Sequence, residues 1–162
     1  MDKPTSKATL PIRILLVEDN DAHTKLILRA MQEDRLANPV DCVRDGEEAL
    51  DYLFRRGAFQ DPSASPRPDM ILLDLKLPKI DGLEVLKTIK EDEMLREIPV
   101  VVLTSSTDAR DVSEAYRHYV NSYISKPVDF DKFRQVVQEL DYYWTIFNTK
   151  PVNSAHRPKR DL

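Results

Sequence analysis

A single cysteine, Cys42, is all the chain contains, so no internal disulfide can form and no Cys-based zinc site can be assembled. Its place inside the apolar segment 40–43 predicts a buried, inert thiol. No apolar stretch approaches the roughly 20 residues that span a bilayer, and residues 1–9 are polar with scattered lysines, without the apolar core of a secretory signal. A cytoplasmic protein is the expectation. A large charge of one sign is missing too: the net charge of −4 gives no general attraction to nucleic acid or anionic membrane, so neither is expected as a partner. Internal repeats and low-complexity tracts are also lacking. The remainder describes an ordinary soluble globular chain, 41% hydrophobic and 32% charged, with enough of its 162 residues for one well-buried core and too few for two.

Along the chain, residues 12–17 are an almost unbroken aliphatic run, which suits a strand covered on both faces, and from Asn20 the spacing turns helical through Leu26, Ile27, Ala30 and Met31. Asn38-Pro39 breaks that helix. Residues 40–43 read as a second strand, and Asp45-Gly46 leads into a helix with Ala49, Leu50, Leu53 and Phe54 on one face, ended by Gly57. Residues 58–68 hold three prolines and no periodicity, and so form a surface loop. The third strand is 69–74. After the turn 78–82, Leu83, Leu86, Ile89 and Lys90 give an amphipathic helix, and Ile98-Pro99 opens the fourth strand. Asp108 caps a helix carrying Ala109, Val112, Tyr116 and Val120; residues 121–125 are the fifth strand; Asp129 caps a last helix reaching about Phe147. Five strands alternating with five helices predict an α/β, doubly wound parallel sheet with right-handed crossovers. The expected organisation is an extension over 1–10, one domain over 11–148, and a tail over 149–162 whose basic cluster is too short to indicate nucleic-acid binding.

The strands stop on reactive residues. Ile14-Leu15-Leu16-Val17 ends on Glu18-Asp19, Met70-Ile71-Leu72-Leu73 on Asp74, Val100-Val101-Val102-Leu103 on Thr104-Ser105, and Tyr123-Ile124-Ser125 on Lys126-Pro127. In an open parallel sheet the carboxyl ends converge on one crevice, so these residues are expected to meet. Three carboxylates there repel unless a cation compensates them, and Mg²⁺ suits a few carboxylates beside a phosphate. No His or Cys ligand is evident, which argues against zinc. A carboxylate can also capture phosphorus as an aspartyl phosphate. The expected roles are Asp74 as acceptor, Asp19 as metal ligand, Glu18 as ligand or water-mediated neighbour, Thr104 as hydroxyl donor and Lys126 as counter-ion.

Each of these residues has an ordinary explanation when taken singly. An acid after a strand most often begins a turn or caps a helix, as Asp19-Asn20-Asp21 is suited to do, and a lone lysine is usually solvated. Four independent strand ends carrying the parts of one phosphoryl-transfer site outweigh those readings.

Over residues 12 to about 147 the chain resembles a receiver domain, the phosphoacceptor module of two-component response regulators. The resemblance lies in Val17-Glu18-Asp19-Asn20, in Leu72-Leu73-Asp74-Leu75-Lys76-Leu77-Pro78 with Asp81-Gly82, in Leu103-Thr104-Ser105 and in Tyr123-Ile124-Ser125-Lys126-Pro127. It implies a flavodoxin-like five-stranded sheet in the order 2-1-3-4-5. It further implies Mg²⁺ held by Glu18, Asp19, Asp74 and the backbone carbonyl of Lys76, with phosphate taken from a kinase phosphohistidine. The Lys126-Pro127 bond is implied to be cis, and Thr104 with Tyr123 to be a switch pair in which the hydroxyl moves to the phosphate as the aromatic turns inward. Such a protein catalyses its own phosphorylation and dephosphorylation and acts on no independent substrate. Two departures stand out: Glu18 replaces the commoner Asp, and Lys76 sits where its charge could alter the lifetime of the phosphate.

Output is expected to act through protein contacts, on a downstream target or a phosphotransfer protein, because no second domain follows. On the last helix Phe133, Val136, Val137, Leu140, Trp144 and Phe147 form one stripe, while Tyr142 and Ile146 project roughly opposite and Tyr143 lies at the margin. That exposed pair predicts a homodimer through the fourth and fifth helices and the fifth strand. The long loop over 55–68 and the ending Tyr142-Tyr143-Trp144 further resemble the stand-alone regulators that pair with phytochrome-type sensor histidine kinases. Two rivals are a receiver-like scaffold that is never phosphorylated and a Mg²⁺-dependent phosphohydrolase. The first is opposed by the complete set of site residues, the second by the lack of a segment for a substrate-enclosing cap.

Overall fold

Aliphatic runs of four or five residues without a polar break suit strands of a parallel sheet covered on both faces, and the computed structural model uses them so. It describes residues 13–33, 39–104 and 122–125, with the single positions 113, 117, 131 and 135. The order is β1 (Ile14–Val17), α1 (Asp21–Glu33), β2 (Val40–Val43), α2 (Gly46–Phe54), a 3-10 turn (Gly57–Phe59), β3 (Met70–Asp74), α3 (Gly82–Glu91), β4 (Val100–Thr104) and β5 (Ser122–Ser125). The strands are parallel, in the order β2-β1-β3-β4-β5. This is the expected doubly wound sheet.

Alternation along the strands divides the core. Leu15, Val17, Val43, Ile71, Leu73, Val100 and Val102 face one way and pack with Leu50, Tyr52 and Leu53 of α2 and Val85, Leu86 and Ile89 of α3. Ile14, Leu16, Met70, Leu72, Val101 and Leu103 are equally buried and face the other way. The chain steps from β1 outward to β2 and then back past β1 to β3, so right-handed crossovers put α1 and α2 on opposite faces. Accordingly Ile27 of α1 is buried but lies outside the α2–α3 cluster.

Several local expectations are corrected. The first strand starts at Ile14 rather than residue 12. Gly57 does not end α2: Arg55 takes the left-handed conformation at φ 54° and sends its N–H to Asp51 and Tyr52 carbonyls, so the helix closes two residues earlier. Cys42 is exposed, because β2 is an edge strand and cover runs out on the side away from α2. The partial burial its sulfur retains and the adjacent Asp41 carboxylate raise the thiol above its ordinary value, so it is a poor nucleophile all the same. Leu26, expected on the buried face of α1, is half exposed.

The proline-containing loop is a surface loop with internal anchoring. The Tyr52 hydroxyl lies 2.5 Å from Asp41 Oδ2 and 2.8 Å from the Pro66 carbonyl, Arg67 donates to the Leu53 carbonyl, and buried Ser65 donates to the Phe59 carbonyl at 2.9 Å. Burial, reinforced by Asp41, pushes the Tyr52 hydroxyl far above its usual range and keeps it protonated. The expected helices over 108–120 and 129–147 lie outside the described residues, apart from Ser113, Arg117, Asp131 and Gln135, which are helical and exposed. No helix among the described residues is long and apolar enough to cross a membrane.

Candidate functional site

Between β1 and β3 the strand order reverses, the point at which a doubly wound sheet places its binding crevice, at the carboxyl ends of the strands. Val17 pairs with Leu73, so the residues that follow, Glu18 and Asp74, come level across the two strands. Glu18, Asp19 and Asp74 each bring one carboxylate oxygen to within 4.8 Å of the others. Glu18 and Asp74 are almost fully buried, whereas Asp19 is exposed. Two like charges at that separation repel by about 3.5 kcal/mol at an effective dielectric of roughly 20. The donor set, three carboxylates within reach of one centre, suits a hard multivalent cation. Oxygen ligands in an octahedral shell at about 2.0–2.1 Å lie roughly 3–4 Å apart, so the three acids fit a hard divalent ion after a small closure.

Local structure holds these acids in place. Asp74 Oδ1 accepts the N–H of Lys76 at 3.1 Å, which fixes the carboxylate and starts the following loop beside it. Asn20 takes over the capping of α1, its Oδ1 accepting the His23 N–H at 3.1 Å, so Asp19 is not spent on that duty. Glu18 Oε1 accepts the Asn20 N–H at 3.2 Å and lies 3.5 Å from His23 Nδ1. Arg44 reaches from the end of β2 to the Asp19 carbonyl at 3.5 Å and to Asp21.

The loop from β3 to α3 is seated by two glycines. A Cβ on Gly82 would sit 2.3 Å from the Asp74 carbonyl oxygen, and one on Gly46 would sit 2.1 Å from that of Ile80, so only hydrogen permits either approach. Lys79, left-handed at φ 66°, ties the same loop to the start of α2 through Asp45 at 3.4 Å and Glu47 at 3.7 Å. Those two carboxylates raise its ammonium above the ordinary lysine value.

The structure thus gathers Glu18, Asp19 and Asp74, with the Lys76 N–H against Asp74. Thr104 ends β4 one residue past Leu103, the partner of Asp74, and its own partner is Ser125, the residue before Lys126. Tyr123 pairs with Val102 in the sheet. Lys126, Pro127, Tyr142, Tyr143 and Ile146 lie outside the described residues. His23 was missed from sequence. Its signal was available, since a side chain in the first turn of a helix leans back toward the N-terminus and here toward Glu18.

The sequence profile of the response regulator receiver domain matches residues 14–138. The probable methanogenesis regulatory protein FilR2 of Methanothrix harundinacea is 47% identical over 87% of this chain and 88% of its own length. Response regulator Rcp1 of Synechocystis is 39% identical over 87% of this chain and 94% of its own, and its Mn²⁺-bound crystal structure aligns with a TM-score of 0.73. The crystal structure of the phosphorylated cyanobacterial phytochrome response regulator RcpA is 42% identical, covers 87% of this chain and 99% of its own, and aligns with a TM-score of 0.73.

Proposed function

The chain belongs to the response regulator receiver domain family, and from that premise we propose that Asp74 accepts a phosphoryl group from the phosphohistidine of a sensor kinase. The protein is a response regulator of two-component signalling, homologous to phytochrome response regulators. The observation that carries the assignment of the acceptor is the gathering of three carboxylates at the β1/β3 reversal, two of them buried.

In the proposed reaction an oxygen of Asp74 forms a bond to phosphorus as the P–N bond to histidine breaks. The electron pair of that bond stays on the imidazole nitrogen, which then takes up a proton. In the reverse sense of the signal, water attacks phosphorus and the bond to Asp74 breaks, releasing inorganic phosphate, so the chain turns over only its own phosphoryl group. The residues that would hold Mg²⁺ are Glu18, Asp19, Asp74 and the Lys76 carbonyl, and the ion when bound neutralises charge on the phosphoryl oxygens. Lys126 would supply a second positive charge and Thr104 a hydroxyl donor. Thr104 and Tyr123 form the proposed switch, since phosphorylation adds acceptor oxygens that recruit the hydroxyl and open space for the ring.

The kinase partner is taken to be of the phytochrome type, which the likeness to phytochrome and bacteriophytochrome response regulators supports. The proposed setting is the cytoplasm, and the proposed output passes through protein contacts to a target or a phosphotransfer protein. A homodimer through Tyr142, Tyr143 and Ile146 completes the reading. Sedimentation is expected to show a dimeric parent and a Tyr142→Ala/Ile146→Ala variant shifted toward monomer.

Intact-mass measurement after incubation with Mg²⁺ and a small acyl phosphate tests the central claim. The parent is expected to gain one phosphoryl group and Asp74→Asn none. A parent that stays unmodified would overturn the proposal and favour a binding module; multiple turnover on phosphate esters would favour a hydrolase.

A further inference from the structure

Glu18 is the longest and least exposed of the three acids, and a glutamate has one more rotatable bond to immobilise than an aspartate. Its Oε1 is engaged from two sides, by the Asn20 N–H at 3.2 Å and by His23 Nδ1 at 3.5 Å. Asn20 makes the second contact possible. By accepting the His23 backbone N–H at 3.1 Å it starts α1 where it does, which sets the imidazole on the first turn, and side chains there lean back toward the strand end. The imidazole is not itself one of the ligand atoms that gather within 4.8 Å. It touches a ligand rather than the centre of the site.

We propose that His23 is a positioning residue for the divalent-ion site: it fixes the terminal torsion of Glu18 and so lets the longer acid present its carboxylate as a shorter one would. Partners of this kind, one bond removed from the ion, commonly control metal affinity through ligand orientation. The inference rests on the metal-binding reading of Glu18, Asp19 and Asp74.

Calorimetric titration of the full chain with Mg²⁺ tests it on the parent, His23→Leu, His23→Ala, His23→Gln, Glu18→Asp and the Glu18→Asp/His23→Leu pair. Removing the imidazole is expected to weaken Mg²⁺ binding by roughly 10-fold, at the low end of such effects, with His23→Gln recovering most of the loss through its amide. In the Glu18→Asp background the leucine change is expected to have almost no effect, because the shorter acid no longer reaches the imidazole. A parent that binds Mg²⁺ alongside leucine and alanine variants of equal affinity would overturn the role of His23 and leave the site intact. An equal loss in both backgrounds would overturn it as well, marking a general structural effect. A parent that binds no Mg²⁺ would overturn the metal reading and this inference with it. Since His23 is partly exposed, the alanine variant stands in should the leucine variant fold poorly.

Discussion

Asp74 and Glu18 each accept the backbone N–H two residues ahead, and differ in what that N–H leads into. Asp74 Oδ1 carries the Lys76 N–H, so the carboxylate is oriented by the same turn that continues the site loop. Glu18 is oriented from the helix side and Asp19 faces solvent. Away from the site, the ionisation of Lys90 bears on folding. Its Nζ donates to the carbonyls of Arg96 and Ile98 at 3.0 and 2.9 Å, which fastens the end of α3 to the entry of β4, and burial pulls its pKa down to about 8. The unfolded chain keeps the ordinary lysine value of about 10.4. Between these values the unfolded state binds the proton that the folded state has lost, so stability rises with pH across that window and the cost of burying the charge is fully present below it. Partial exposure screens the effect to on the order of 1 kcal/mol. Urea unfolding at several pH values is expected to show the parent gaining that much on Lys90→Met between about pH 8 and 10.

Elements meet at the site only as closely as their smallest residues allow. α3 begins against the end of β3, where the Gly82 N–H donates to the Leu75 carbonyl at 2.9 Å and its missing side chain leaves room for the Asp74 backbone. Gly82→Ala is expected to cost about 1–3 kcal/mol in urea unfolding, as other forced overpacking does, and to weaken Mg²⁺ binding because the strain falls on Asp74 itself. α2 is set from both ends. Asp45 Oδ1 accepts the Glu48 N–H at 2.7 Å while its other oxygen pairs with Lys79, and Arg55 closes the helix in a left-handed turn. The cap therefore also anchors the loop that follows Asp74. The apolar periodicity of α2 and α3 made both helices legible, yet their ends were less so: the glycine at 57 suggested a stop that a left-handed arginine supplies instead.

At the scale of the whole molecule, the proposed metal site links ion binding to folding. Mg²⁺ at roughly 100 times its dissociation constant adds about 2.7 kcal/mol to the folded state, which for a chain of this length raises Tm by roughly 5–10 °C. Thermal melts with Mg²⁺ and with excess chelator are expected to differ by that amount in the parent and hardly at all in Asp19→Asn. The amino-acid sequence by itself determined the alternation of strands and helices, the parallel sheet, and the carboxylates that stand at the strand ends. These were legible because unbroken aliphatic runs report burial on both faces, and because each run stops on its polar residue in the chain itself. Tertiary structure alone decided the rest: that Glu18 comes level with Asp74, that His23 meets Glu18, that Gly46 and Gly82 let loop and helix close in, and that Cys42 lies open on an edge. Periodicity records which way a side chain faces within its own element. Distances between elements follow from strand register, crossover handedness and the room left by absent side chains, and none of these is written at a single position.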